Sequence, residues 1–310
     1  MHRYSNGQIL AIEEDFNVHM RKKYGAPFLD LHRVDLQQML YRRANELGVS
    51  VRLAARVGKV DPDLGEVVLE NGTVVKGDLV VGADGLWSRC RESLLGRKDT
   101  PLPTGDLAYR IVLDIDQLTD PQLREWVTKP SVHFWIGPRA HAVGYSLRGG
   151  TMYNLVLLCP DDLPEHVPRQ EGSVEEMRKL FTGWDPVLTR FLDHVSSVDK
   201  WKLMHREEVK SWTNDKGNFV LIGDSCHPML PYLAQGANSS LEDGAVLGRL
   251  LTRVRSKDQL PHAIQAYEQL RKSRSEAIVR ETFHQVSQKI LLKIALAHAY
   301  SAIEKSIPYA

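Results

Sequence analysis

The hydrophobic pattern divides the chain into stretches of different period. Between Leu31 and Leu47 the apolar residues Leu36, Met39, Leu40, Ala44 and Leu47 recur at helical spacing. Asp30 stands where an N-cap would be, and Gly48 where a helix C-terminus favours glycine. Ahead of this helix, GQILAIEE (residues 7–14) predicts a strand after a turn. Behind it, VSVRLAARV, EVVLE and NGTVVKGD are β-rich, and Asn71-Gly72 between two β-branched runs predicts a hairpin. DLVVGADG predicts a buried strand from Leu79 to Val81 ending in a Gly-rich turn, followed by a helix from Ser88 to Leu95. From about Pro101 the character changes. LAYRIVLDI, SVHFWIG, HAVGYSLRGG and TMYNLVLLC are β-branched and aromatic runs separated by Gly and Pro, which predicts an antiparallel sheet. Glu175 to Leu192 has helical spacing apart from Gly183 to Pro186. NFVLIGDS then repeats the buried strand with its Gly-Asp end, and helices follow from near Gly236 and over about Pro261 to Gln285. No tandem repeat is visible. The order predicts an α+β protein: a discontinuous first domain (1–100 and 211–280), an inserted antiparallel-sheet domain (101–210) and a helical tail (281–310).

Composition narrows the classes. Of the 310 residues 43% are hydrophobic, ample for a core, and 40 basic against 39 acidic side chains leave a formal charge of +1. That balance, with no basic run carrying interleaved aromatics, gives no reason to expect a nucleic-acid partner. Cys90, Cys159 and Cys226 form no C-x-x-C pair, and three free thiols fit a reducing, cytoplasmic compartment. MHRYSNGQIL has no apolar signal-peptide core. No run reaches the roughly 18 apolar residues of a spanning helix. ILLKIALAHAYSAI is expected as an amphipathic helix end, with membrane-surface contact as the alternative.

Two segments carry chemistry: VVGADGLWSRC, and VLIGDSCHPMLPYLAQGANSSLEDGAVLGRLL. Glycine at a strand end lets a ligand approach the backbone, and the neighbouring Asp can accept from sugar-like hydroxyls. Gln235-Gly236-Ala237-Asn238 opens a helix whose free N–H groups favour an anion or an electron-rich carbonyl. Each turn alone is ordinary turn chemistry; the pair, tied to a Gly-rich helix start, points to a ligand. Cys226-His227 is not read as a nucleophile and base, because neighbours on an extended strand face opposite ways. Among twelve histidines there is no H-E-x-x-H and no zinc spacing, and no Walker pattern occurs.

These segments resemble the single-component FAD-dependent aromatic-ring monooxygenases, the salicylate-hydroxylase-like group, with PYLAQGANSSLEDGAVLG most like the fungal enzymes that hydroxylate phenolic polyketides. Four segments match in order over residues 30 to 275: Arg33 in FLDLHRVDLQQML; Gly82-Ala83-Asp84-Gly85 with Ser88 and Arg91; GDLAYRIVL; and Gly223-Asp224 with Pro228 and Pro231. The resemblance implies FAD, reduction by NADPH or NADH, and transfer of oxygen from O2 to a small phenolic substrate. It implies flavin contacts at Arg33, Asp224, the N–H groups of Gly236 and Ala237, and Asp84 near the pyrophosphate. It implies substrate contacts at Arg110 and Tyr145, with His141 on the same strand face as an alternative to the tyrosine, and Arg110 pairing with a surface carboxylate as the plain reading.

One departure matters. The family opens with a strand, a G-x-G-x-x-G turn and a helix that hold the FAD pyrophosphate. This chain has no G-x-G, and before Arg33 its glycines are Gly7 and Gly25. The expectation is therefore a chain lacking the first βαβ unit, with FAD held weakly. Two rivals follow: a degenerate paralogue or fragment that binds a ligand or partner without FAD, and a different FAD-dependent oxidase or reductase. The sequence fixes no oligomeric state.

Overall fold

The computed structural model describes residues 1–304, with side chains described through residue 284. The elements are β1 (His2–Arg3), α1 (Phe16–Tyr24), α2 (Arg33–Glu46), β2 (Val57–Asp61), β3 (Glu66–Leu69), β4 (Val74–Lys76), β5 (Val80–Gly82), α3 (Arg89–Leu95), β6 (Leu102–Asp114), α4 (Pro121–Thr128), β7 (Val132–Gly137), β8 (Ala140–Leu147), β9 (Met152–Pro160), β10 (Arg169–Gly172), α5 (Val174–Leu180), α6 (Pro186–Asp193), β11 (Val198–His205), β12 (Phe219–Leu221), α7 (Gly236–Leu251) and α8 (Leu260–Glu304). They group into two compact units, one of residues 1–51 and 105–203, the other of residues 52–104 and 204–292.

The first unit is built on a seven-stranded sheet of order β1-β7-β8-β9-β6-β11-β10. Strands β7, β8, β9 and β6 pair antiparallel, as their aromatic and β-branched runs predict. Alternation sorts their side chains. Leu107, Tyr109, Ile111, Leu155, Leu157, Ala142 and Trp135 face one way and are buried with α4, α5 and α6. Capping fixes where the covering helices begin. Asp120 accepts from Gln122 and Leu123 N–H with Pro121 in the first turn of α4, and Asp185 caps α6 while accepting from the buried Trp135 indole at 2.6 Å.

Three local expectations are corrected. GQILAIEE is not a strand: Ile9 makes one bridge to His2, and Ile9, Leu10 and Ile12 are exposed, so the alternation has no sheet to lie on. VSVRLAARV does not pair along its length, because Ala54 turns the backbone at φ 54° and pairing starts at Val57. Asp30 does not cap α2; His32 occupies that position without a side-chain hydrogen bond.

In the second unit β2, β3 and β4 form an antiparallel meander whose β3–β4 turn holds Gly72 at φ 83°. Strands β5 and β12 pair in parallel, Leu221 opposite Gly82. Trp212, Phe219, Leu221, Leu247, Ile264 and Tyr267 make its core. No described helix is long and apolar enough to cross a membrane. The expectation for ILLKIALAHAYSAI lies outside the residues whose side chains are described.

Candidate cofactor and substrate sites

In the second unit both Gly-Asp turns leave the C-terminal ends of adjacent parallel strands, where open α/β sheets bind ligands. Ser225 locks them together, its hydroxyl donating to the carbonyls of Gly82 and Ile222, both at 2.7 Å. Gly82 must be glycine: a Cβ there would lie 2.6 Å from that of Cys90. Gly223 sits at φ 61°, and a Cβ on it would come within 2.9 Å of the Ser240 hydroxyl on α7. The chain therefore passes close under the start of that helix and leaves Asp224 exposed. Helix α7 begins at Gly236 with no side-chain cap from Gln235, so the N–H groups of Gly236 and Ala237 lack that partner. An exposed carboxylate beside an uncapped helix start fits the sugar-alcohol and ring-edge portions of a flavin.

A buried strut holds this arrangement. Asp243 accepts from the Gly223 N–H at 2.8 Å, from His227 Nε2 at 2.6 Å and from Arg271 Nε at 2.8 Å. Those donors hold the Asp243 carboxyl below its usual value against a burial that would raise it. Cys226, His227 and Asp243 do offer ligand atoms within 4.8 Å of one another, since they lie beyond the strand and not along it. The neighbouring guanidinium disfavours a cation there, and burial pushes the Cys226 thiol well above its ordinary range, which withholds a thiolate.

Asp84 is engaged locally. Its oxygens accept from the Ser88 hydroxyl and from the Cys90 N–H at 3.0 Å, while Ser88 caps α3. Arg91 is fully buried and donates to Asp99 and to the carbonyls of Glu207 and Cys226, a structural tie.

The first unit holds Arg33, Arg110 and Tyr145. Register puts Arg110 opposite Val156, and Val156 opposite Val143. Tyr145 stands two residues along from Val143, so Arg110 and Tyr145 share the sheet face turned away from the core. Tyr109, fully buried, takes the other face. Arg110 has no carboxylate partner among the described residues; its guanidinium lies 5.2 Å from the Trp201 ring centroid instead. Burial lowers its pKa and the Arg33 charge lowers it further, while Tyr145 opposes. Burial raises the Tyr145 phenol, as does the charge of Asp30, with Arg110 and Arg33 opposing. Asp30 itself is pushed up by burial from 3.8 to about 6. Sequence reasoning grouped Arg110 with Tyr145 but took Asp30 for a cap, and it missed Trp201 and the Asp243 strut. Arg148 forms a bidentate pair with Asp35 of α2 at 2.7 and 2.6 Å.

The family model described as FAD binding domain matches residues 3–282. The chain is 51% identical over 287 residues to the FAD-dependent monooxygenase OpS4 of Beauveria bassiana, covering 91% of this chain and 67% of that protein. It is 35% identical to a 3-hydroxybenzoate 6-hydroxylase of Polaromonas naphthalenivorans, covering 84% and 63%. The chain thus spans about two thirds of the length of these curated relatives. Among solved structures, HpxO of Klebsiella pneumoniae complexed with FAD and uric acid superposes with a TM-score of 0.78 at 18% identity, covering 96% of this chain and 73% of that one. A salicylate hydroxylase substrate complex gives 0.68 at 22%, covering 82% and 65%; at these identities the likeness shows the fold. With the Gly-Asp turns at the strand ends and a family match over nearly the whole chain, this protein belongs to the FAD-dependent monooxygenases, oxidoreductases whose cofactor is FAD.

Proposed function

We propose that the chain serves the hydroxylation of a small phenolic substrate, with NADPH or NADH and O2 as co-substrates. The observation that carries this is Arg110: a partly desolvated guanidinium with no carboxylate partner among the described residues, stacked near Trp201 on the same sheet face as Tyr145. A permanent cation in that setting favours an anionic oxygen, so it lowers the pKa of a bound phenol and holds the phenolate. Tyr145, kept protonated by burial and by Asp30, donates to the same oxygen and sets which ring carbon is presented. Asp224 accepts from ribityl hydroxyls, the Gly236 and Ala237 N–H groups meet the ring's pyrimidine edge, Arg33 takes an oxygen-rich part of the cofactor, and Asp84 shapes the turn near the pyrophosphate. Bound FAD would pass electrons from the nicotinamide to O2, which is the source of the oxygen atom placed on the ring, its second atom leaving as water. In this division of labour residues 1–100 and 211–280 serve the cofactor and 101–210 the substrate. The rival reading is a chain that binds its ligand or partner without retaining FAD.

An FAD titration followed by flavin absorbance separates the two. We expect saturable but weak binding that Asp224→Ala weakens about tenfold or more, the scale of a charge-assisted hydrogen bond. No saturable change with the parent chain would leave the FAD-free reading standing. In flavin-loaded protein, Arg110→Lys should cut phenol hydroxylation at least about tenfold at unchanged FAD content, since lysine keeps the charge but loses the fork.

A further inference from the structure

Strand β9 lies between β8 and β6, and its residue Asn154 is in register with Tyr145 on one side and Val112 on the other. Directly opposed residues on one face have Cβ atoms about 4.5–5.5 Å apart, and diagonal neighbours about 7–8 Å. Arg110 is opposite Val156, two residues along β9 on that same face, so it is a diagonal neighbour of Asn154. Asn154 therefore stands between the guanidinium and the phenol assigned above to the substrate. Its Nδ2 is buried and has no hydrogen-bond partner among the described residues. Buried donors are rarely left without an acceptor, because the lost hydration is not replaced.

We infer that Asn154 is a substrate-orienting residue: its amide donates to a second oxygen of the substrate, carried next to the ring oxygen held by Arg110 and Tyr145. This rests on the phenol-site reading. The spacing decides where the second acceptor lies. Asn154 and Tyr145 are directly opposed across the ladder, so we place the second oxygen on the ring position next to the first. A phenol lacking the second oxygen would leave the amide orphaned and so bind less well, which makes Asn154 a discriminator as well as a contact.

The test is calorimetric binding of two probes that differ by one carbonyl oxygen, 2-hydroxyacetophenone and 2-ethylphenol. The parent chain should prefer the ketone about three- to tenfold, the scale of one neutral hydrogen bond. Asn154→Leu should bring the two affinities together, and Asn154→Asp, which offers an acceptor in place of the donor, should remove or reverse the preference. Asn154→Leu should keep the parent's Tm or exceed it, because an orphaned donor is being removed; Asn154→Asp is read by its probe preference alone, since a carboxylate in the same place carries its own desolvation cost. Arg110→Ala should weaken both probes. If Arg110→Ala weakens both while Asn154→Leu keeps the ketone preference, or if the parent shows no preference, the inference about Asn154 falls and the phenol site stands. A lower Tm in Asn154→Leu would mean the amide is paired within the protein, and would also overturn it. If the parent binds neither probe, or Arg110→Ala changes neither affinity, the phenol-site reading fails and the inference with it.

Discussion

Helix α2 and the sheet strands β6 to β9 belong to the same unit and both carry regular apolar spacing, yet only the sheet buries it. Leu107, Tyr109, Leu155 and Leu157 have no exposed area, whereas none of the 14 residues of α2 is buried, and Met39 and Leu40 are 63% and 51% exposed. Periodicity predicts that an element will form; it does not say what covers the stripe. In the sheet, the capped helices α4 and α6 supply the cover. Helix α2 contributes charge instead. Its Asp35 grips Arg148 at the end of β8, and its first residue, Arg33, perturbs Arg110. The sheet gives the substrate face its rigidity, and α2 gives it part of its field.

The difference is sharpest in stability. Leu155→Ala should cost about 2–5 kcal/mol in urea unfolding, the range for deleting a buried leucine side chain. Leu40→Ala on α2 should stay within about 0.5 kcal/mol, as for exposed positions. Equal losses would break the comparison and place the α2 stripe against a partner in solution. A smaller, local effect is expected at the charged link. Arg148→Ala should speed amide exchange along α2 while leaving the β9 amides that face β6 and β8 unchanged. Exchange that rises equally in both would mean that α2 and the sheet open as one.

Much of this was legible beforehand. The four sheet strands, the hairpin at Asn71-Gly72, the break between α5 and α6 and the two Gly-Asp turns follow from local rules, and the structure keeps them. Arg110 and Tyr145 share a face because a two-residue period survives pairing. What could not be read is tertiary. Asp30 looks like a cap, and only the fold reveals that it is half-buried near Tyr145. Asp243 looks like one more helix carboxylate until Gly223, His227 and Arg271 are seen to converge on it from separate parts of the chain. GQILAIEE alternates like a strand, but no neighbour offers it a ladder.

Asp30 gives the finest probe of what the α2 end does to the sheet face. Burial raises its pKa from 3.8 to about 6, so the folded chain holds this proton more tightly than the unfolded one does. The stability that this adds is fully present below about pH 4 and is lost as the pH climbs to about 6, since the folded carboxylate must then ionise in a partly dry place. Asn at the same position cannot ionise. The Tm of Asp30→Asn relative to the parent should therefore rise between about pH 4 and pH 6 and level off above it. A second consequence lies across the face. The Asp30 anion is one of the causes that raise the Tyr145 phenol, so its removal should bring that phenol's titration down, as a spectrophotometric titration would read. A flat Tm difference through this window, with Tyr145 titrating as in the parent, would show that Asp30 is solvated and that the field on the substrate face comes from Arg33 and Arg110 alone.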